Sequence, residues 1–354
     1  MSANSTITSS GLAYLQSAIE PAVSVSLRPT LIEGVPDGIV AILAPVVAYW
    51  AFSGMFHLFD TLELAEKYRI HPKEAVDKAN KASRVEVLRE VLLQHVIQSL
   101  VAYVSYKFDP VPTTGFEQNA IWHLKQSVQR SLLKVGLPAT AIPDVAIAAL
   151  YNYGIPAFKL AFCFVFVDTW QFFLHRLMHL SSTLYAKFHS VHHRLYIPYA
   201  YGALYNAPVE GFLLDTLGTG IAMNIAHLTP REQIILFVFA TMKTIDDHCG
   251  YVLPLDPFQL LFPNNAVYHD IHHQPFGLKS NFAQPFFTFW DELFDTKFKA
   301  MDSELEHGKK VNIHEYKQFL RNRDAERKEK LAKFKGTLEG LDEQKADEGK
   351  KKDM

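Results

Sequence analysis

The sequence contains few cysteines and almost no net charge, and both absences exclude classes of protein. Cys163 and Cys249 are the only cysteines among 354 residues, so no disulfide framework is available. Lys and Arg number 35 against 37 Asp and Glu, which leaves a formal net charge of -2 and no basic surplus for nucleic acid. Residues 1–30 lack the basic start and compact apolar core of a cleavable signal peptide. We therefore expect neither a disulfide-stabilised secreted domain nor a nucleic-acid-binding protein.

Hydrophobic residues make up 49% of the sequence and gather in runs long enough to cross a bilayer, which takes about 20 residues of helix. The Leu228–Arg231 turn is short enough to join two spans as a hairpin. The runs predict five membrane spans, at residues 38–59, 87–108, 157–174, 209–226 and 232–244. The predicted fold class is an all-α polytopic membrane protein with about four to five transmembrane helices.

Nine of the 16 histidines fall in two blocks of the sequence. They are His175, His179, His189, His192, His193, His248, His269, His272 and His273. Residues three and four apart share a helix face, so each His-x-x-His-His run is expected to point its three imidazoles the same way. Imidazole clusters suit Zn, Fe, Cu or Ni. Because a closed zinc site takes four ligands, nine imidazoles predict two metals bound close together.

The distribution of Lys and Arg predicts one orientation in the membrane. Basic residues near span ends mark the cytoplasmic side, and they are dense in residues 60–86 and in the C-terminal tail. Threading five spans from a lumenal N terminus then places both histidine blocks on the cytosolic face. His227 falls at the opposite face and is rejected as a ligand. The predicted regions are a lumenal segment 1–36, a membrane-embedded catalytic domain 37–300 and a cytosolic charged tail 301–354.

Four carboxylates near these motifs have two interpretations each. Asp168 lies seven positions before His175 and shares its helix face, so it is either an acceptor for that imidazole or a helix-packing carboxylate. Asp270, inside the last motif, is either a similar supporting group or a helix N-terminal charge. Glu210 and Asp215, at the start of the fourth span, either orient ligands or lie near lipid headgroups.

The histidine motifs, with Asp247-His248-Cys249-Gly250-Tyr251 between them, resemble the fatty acid hydroxylase superfamily of membrane di-iron enzymes. Within it, the branch most similar is that of the fungal sphinganine C4-hydroxylases. The resemblance covers about residues 35–300 and is carried also by segments 46–50, 65–72, 167–179, 198–204, 208–215 and 262–269.

The resemblance implies a reaction and its cofactors. The reaction inserts one oxygen atom from O2 at C4 of sphinganine or dihydroceramide, giving phytosphingosine-type products of sphingolipid biosynthesis. The nine histidines would hold two non-haem iron ions, and electrons would come from a separate cytochrome b5 and its NADH-linked reductase. The acyl chain would enter from the bilayer between the spans. Lys351-Lys352-Asp353-Met354 matches the dilysine pattern of endoplasmic reticulum retrieval, so we expect that membrane, with the site and the C terminus cytosolic.

The sequence is also compatible with other functions. A sterol oxidase or lipid desaturase uses the same kind of histidine motif, because O2 activation does not choose between hydroxyl insertion and desaturation. A non-catalytic zinc-binding membrane protein or a transporter is the alternative of another class. A transporter is expected to bind its cargo near the bilayer midplane, whereas the motifs here lie at span ends, which favours an enzyme.

Overall fold

Helices form most of the structure, a computed structural model that describes residues 9–299 and 313–352. They are α1 (Asp37–Thr61), α2 (Lys73–Ala79), α3 (Arg84–Tyr106), α4 (Glu117–Lys134), α5 (Asp144–Ala149), α6 (Ile155–Leu180), α7 (Ser182–Leu184), α8 (Pro208–Gly211), α9 (Gly218–Ile225), α10 (Pro230–Asp247), α11 (Pro257–Leu261), α12 (Ala266–His273), α13 (Phe289–Leu293) and α14 (Ile313–Lys352). Strands β1 (Ser26–Leu27) and β2 (Thr113–Thr114) pair antiparallel. The prediction of an all-helical fold is confirmed.

Short π-helical and 3-10 segments connect several of these helices. A π-helical turn over Leu150–Gly154 joins α5 to α6, and another over Phe212–Leu217 joins α8 to α9. Tyr185–His189 is also π-helical. The 3-10 helices cover Ser9–Gln16, Glu66–Tyr68, His192–Arg194 and Ala200–Gly202. π-Helical turns are frequent at functional sites, and two of these carry polar residues of the site described below.

Three helices in the described part of the chain are long and apolar enough to cross a membrane. They are Asp37–Thr61, Arg84–Tyr106 and Asp144–Leu180, and they match the first three predicted spans. The fourth and fifth predicted spans are helical and form the expected hairpin, α8–α9 followed by α10, but they do not meet the same requirement. In α10 the reason is its charge, since it carries Arg231, Glu232, Lys243, Asp246 and Asp247.

The hairpin turn has a local cause in the sequence. The Thr229 side chain accepts a hydrogen bond from the Glu232 amide, and the Glu232 carboxylate accepts one from the Thr229 amide. This reciprocal capping satisfies two backbone donors at the start of α10. Pro230 occupies the first turn, where its missing N–H costs nothing. The chain therefore reverses direction between the end of α9 at Ile225 and the start of α10 at Pro230.

Polar contacts show which helices begin at the same end of the bundle. Arg231 Nε donates to Asp37 Oδ2 at 2.7 Å, and Lys159 Nζ donates to the His227 carbonyl at 2.8 Å. The starts of α1, α6 and α10 therefore lie at one end. His175 follows Lys159 by sixteen residues of α6, about 24 Å at the helical rise, so the histidine motifs lie at the other end. The structure thus places His227 remote from them, as expected.

The C-terminal helix packs on the domain that was predicted to end at residue 300. Tyr316 is fully buried, and its hydroxyl donates to Asp270 Oδ2 at 2.6 Å. Phe319 lies three residues further on the same helix face and packs against Phe276, with ring centroids 5.6 Å apart. Burial, followed by the nearby Asp270 charge, raises the pKa of Tyr316, so its hydroxyl stays protonated and donates. The first turns of α14 are therefore attached to the membrane domain.

Replacing Tyr316 by phenylalanine should lower the thermal stability of the protein. A hydrogen bond to a charged group contributes about 1.5–3 kcal/mol, and Tyr316→Phe removes one of the partners of Asp270. We expect the Tm of the detergent-solubilised protein to fall by several degrees when folded protein is followed by gel filtration after heating. Tyr103→Phe is the control, since Tyr103 is 46% exposed. An equal Tm for both variants would contradict the attachment of α14.

Candidate metal centre

The nine predicted ligands lie together at one end of the bundle, in two groups. The first histidine group is His175, His179, His189, His193 and His272. The second histidine group is His192, His248, His269 and His273. Within each group every side chain offers one nitrogen, and these nitrogens all lie within 4.8 Å of one another. Eight of the nine side chains are buried, and His179 is partly buried.

The local structure splits each His-x-x-His-His run between the two groups. On α12, His269 and His273 face the second group, whereas His272 faces the first. Consecutive residues of a helix are about 100° apart, so positions four apart nearly coincide and the position between them points elsewhere. His189 and His193 likewise face the first group and His192 the second. The expectation that three imidazoles of one run point the same way is therefore wrong.

Acceptors outside the groups fix the orientation of most of these rings. In the first group, the Nδ1 atoms of His175 and His272 donate to the carbonyls of Phe282 at 2.7 Å and Ser280 at 2.8 Å. In the second group, the Nδ1 atoms donate to carbonyls at 2.7–3.1 Å, from His192 to Tyr205, from His248 to Thr244 and from His273 to Leu195. Because a carbonyl only accepts, each of these Nδ1 atoms carries the hydrogen and Nε2 keeps its lone pair.

The Nε2 atoms converge within each group, and those whose Nδ1 donates to a carbonyl carry a lone pair instead of a hydrogen. His189 Nε2 lies 2.9 Å from the Nε2 atoms of both His175 and His193. His269 Nε2 lies 3.0 Å from those of His248 and His273, in the second group. Lone pairs repel at such distances unless a cation lies between them, and His272 Nε2 is buried with no hydrogen-bond partner. The donor set therefore fits a metal ion in each group.

Burial keeps the ligand candidates in the protonation state that a metal requires. Desolvation lowers the pKa of His192 to about 4 and that of His248 to about 3. The same cause lowers the pKa of His269 and His273 well below the ordinary value. At neutral pH these imidazoles are uncharged, and neutral imidazole is the form that binds a metal.

The two carboxylates proposed as supports contact other groups. Asp168 Oδ1 accepts the backbone amides of Phe286 and Phe287, each at 2.9 Å, while the His175 Nδ1 faces a carbonyl instead. Seven residues of helix correspond to about 10.5 Å, too far for Asp168 to reach the His175 ring. The Asp270 carboxylate accepts from His71 Nε2 at 2.9 Å and from Tyr316. Asp168 thus holds the chain after α12, and Asp270 anchors α12 to neighbouring segments.

Glu210 is the carboxylate that contacts a candidate ligand. Its Oε1 lies 2.5 Å from His189 Nδ1, and both side chains are buried. From the sequence, Glu210 either orients a ligand or lies near lipid headgroups. Its contact with His189 supports the role of orienting a ligand. His71, which lies outside the histidine motifs, supports α12 through its contact with Asp270. Its partner lies 199 residues away in the chain, so no local pattern could have indicated it.

An apolar cavity in the membrane part of the bundle adjoins a pocket beside the histidines. The membrane cavity lies between α1, α3, α6, α9 and α10, and its lining includes Ala41, Val101, Gly220, Met223 and Phe237. A narrower histidine pocket follows, lined by His189, His192, His248 and His269. Gln171, Asp215, Thr244 and Pro285 line both spaces. These shared residues form a polar junction between the membrane interior and both histidine groups.

Comparisons with known proteins identify close relatives of the chain. A family model described as fatty acid hydroxylase matches residues 160–296. The sphingolipid C4-hydroxylase of Saccharomyces cerevisiae is 60% identical over 91% of this chain and 89% of its own length. That of Schizosaccharomyces pombe is 42% identical over 77% and 92%. Sphinganine C4-monooxygenase 2 of Arabidopsis thaliana is 38% identical over 74% and 88%. No solved structure matches the chain at a significant level.

Proposed function

Because this chain belongs to the fatty acid hydroxylase family, we propose that it is a sphingolipid C4-hydroxylase of sphingolipid biosynthesis. It inserts one oxygen atom from O2 at C4 of sphinganine or dihydroceramide. The observation that carries this proposal is an apolar cavity in the membrane part of the bundle that shares lining residues with the pocket beside two convergent histidine groups. The names of relatives that share most of their length with this chain supply the substrate class.

Two non-haem iron ions, one in each histidine group, are the metals of this proposal, with all nine histidines as ligands. Bound iron supplies the activation of O2 for attack on an unactivated C–H bond. The chain contributes rigid orientation, since carbonyls and Glu210 hold the Nδ1 atoms of six of these histidines and turn their Nε2 lone pairs inwards. This preorganisation limits the reorganisation required on metal binding.

The membrane cavity is the proposed site of the alkyl chain of the substrate. On α3 its lining extends from His95 to Ser105, ten residues or about 15 Å of helix. An alkyl chain in this cavity directs its polar end towards the junction and the histidine pocket. The apolar walls exclude bulk water from the reacting carbon. The substrate then reaches the site from the bilayer, and the reacting carbon lies at the end of the bundle that carries the histidines.

We place the protein in the endoplasmic reticulum membrane, with the histidine groups and α14 at the cytosolic end. Lys317 Nζ donates to the Lys67 carbonyl at 3.3 Å, so the Lys-rich helix α14 contacts the basic segment after α1. His71 of that segment binds Asp270 of the last histidine motif. The positive-inside rule assigns both α14 and this basic segment to the cytosol. Cytochrome b5 and its NADH-linked reductase are the proposed electron donors. The dilysine pattern at Lys351–Met354 lies outside the side chains that the structure describes.

The test is mass spectrometry of sphingoid bases from cells that lack C4-hydroxylase activity, with and without this chain. Appearance of 4-hydroxysphinganine supports the reaction, the substrate class and the need for the chain together. Absence of the product, with the protein present at confirmed levels and an electron donor available, would refute the sphingoid substrate. If the purified protein contains zinc instead of iron and shows no turnover after iron reconstitution, the result would favour a non-catalytic metal-binding protein.

Filling the membrane cavity at Gly220 should shorten the chain that the enzyme accepts. A Cβ added at Gly220 meets no atom within 4 Å, and Gly220 lines the membrane cavity, so we expect a leucine side chain at this position to occupy part of that cavity. Gly220 lies five residues from Asp215, about 7.5 Å further from the junction along the helix. We expect Gly220→Leu to reduce kcat/KM for long-chain sphinganine relative to a short-chain analogue by about 10- to 100-fold.

The matched control for this prediction is Gly54→Leu. Gly54 also has open space at its Cβ and lies within α1, outside the lining of the membrane cavity. Competition between the two chain lengths, measured on the same protein preparation, removes differences in protein level. An unchanged ratio in Gly220→Leu, or the same change in both variants, would place the alkyl chain elsewhere.

A further inference from the structure

We propose that Asp215 binds the protonated amino group of the substrate and so selects the free sphingoid base over its N-acylated form. This assignment rests on the proposed function, because it presumes a sphingoid substrate. Asp215 is a positioning and specificity residue here: it holds the substrate, while the proposed iron ligands remain the histidines.

Asp215 occupies the junction between the chain site and the reaction site. It lies in the π-helical turn Phe212–Leu217 between α8 and α9. Asp215 is among the residues that line both the membrane cavity and the histidine pocket, and His189, His192, His248 and His269 also line the latter. A group bound to Asp215 is therefore adjacent to both histidine groups, and an alkyl chain attached to that group can extend into the membrane cavity.

The carboxylate of Asp215 has an unused acceptor. Gln171 Nε2 donates to Oδ1 at 3.2 Å, and Oδ2 is enclosed with no hydrogen-bond partner. Enclosed polar atoms are normally satisfied, and a carboxylate in the membrane part of a protein is expected to pair with a cation or a donor. An unpartnered oxygen at the junction of two cavities thus indicates a donor that arrives with the ligand.

The charges around the junction favour a cation. No Lys or Arg is among the described residues that line either cavity, whereas Glu210 and Asp247 line the histidine pocket with Asp215. Asp247 is already paired with the buried Lys243. Glu210 is bonded to His189 through Oε1, although its Oε2 has no partner either. Asp215 therefore retains a carboxylate with no basic partner from the lining. Of the three carboxylates, Asp215 alone lines the membrane cavity as well as the histidine pocket, so it is the one beside a ligand whose alkyl chain lies in that cavity.

The chemistry of the sphingoid base supplies a donor at the required place. Its amine is on C2, two carbons from the C4 that is hydroxylated, so the cation has to lie beside the reaction site. An ammonium offers three N–H donors and a full charge to a carboxylate. N-acylation turns it into a neutral amide with one N–H. The position of Asp215 thus favours sphinganine over dihydroceramide.

The test compares sphinganine with N-acetylsphinganine on the purified, iron-loaded enzyme. Asp215→Asn keeps an oxygen for Gln171 and removes the charge. We expect this variant to lower the preference for sphinganine, as a ratio of kcat/KM values, by about 10- to 100-fold, mainly through KM. Asp215→Glu retains the charge and should preserve the preference. Iron per chain should equal that of the wild type in both variants.

A matched control separates substrate binding from structural damage. Asp168 is a second buried carboxylate, on α6, which accepts backbone amides and lies outside both cavity linings. Any loss caused by Asp168→Asn should fall equally on the two substrates. An unchanged preference in Asp215→Asn, or loss of its iron, would overturn the assignment while leaving C4-hydroxylation intact. A wild-type enzyme that forms no C4 product from either substrate refutes the proposed function and this assignment with it.

Discussion

Replacing His272 by alanine should abolish C4-hydroxylation, with turnover reduced by more than about 100-fold. Loss of a residue that merely supports a ligand already costs 10- to 100-fold in metal affinity or activity, and His272 is itself a member of the first histidine group. Its Nε2 is buried without a partner, and its Nδ1 is held by the Ser280 carbonyl. The variant should also contain less iron per chain, measured by elemental analysis of purified protein.

The control for this prediction is His227→Asn, at the remote end of the bundle. His227 adopts a left-handed backbone conformation with φ of 50°, which asparagine tolerates better than alanine. Its backbone carbonyl, which Lys159 contacts, is unchanged by the substitution. Turnover and iron content should both remain near the wild-type values. Equal losses in the two variants, at equal protein levels, would break the assignment of the histidine motifs to one end of the bundle.

Replacing Glu210 by alanine should reduce iron binding and turnover by about 10- to 100-fold. Glu210 Oε1 lies 2.5 Å from His189 Nδ1, and both residues are buried, so removal of the carboxylate leaves the ring without the acceptor that orients it. His189 Nε2 lies within 2.9 Å of two other ligand nitrogens in the first group, which makes its orientation matter for the whole group. Iron per chain and product formation by microsomes are the two measurements.

The conservative variant makes this prediction more specific. Glu210→Gln retains an oxygen that accepts from the His189 Nδ1 and removes the charge, so its loss should lie between those of the wild type and Glu210→Ala. Glu90→Gln is the control, because Glu90 pairs with the neighbouring Arg89 on α3 instead of a histidine. Equal iron content in Glu210→Ala and the wild type would show that His189 is oriented by other contacts.

The amino-acid sequence by itself determined the helical class, the first three spans and the identity of the nine histidines that come together. These features depend on short-range patterns. A run of apolar residues from Gly38 to Phe59 requires a membrane helix wherever it is packed, and histidines four apart share a helix face in any fold. The family resemblance was equally local, since it was carried by the motifs and the residues around them.

Tertiary structure decided which of these histidines belong to the same group and which carboxylates support them. His272 joins His175 in the first group because α12 packs against the end of α6, and no spacing within the chain encodes that contact. Glu210 reaches His189, while Asp168, the more obvious candidate, is directed to the amides of Phe286 and Phe287. Tyr316 packs on the membrane domain through its hydrogen bond to Asp270, although the sequence predicts that this domain ends at residue 300. Sequence patterns specify the face of each helix, whereas the partner of that face is set by how the helices pack.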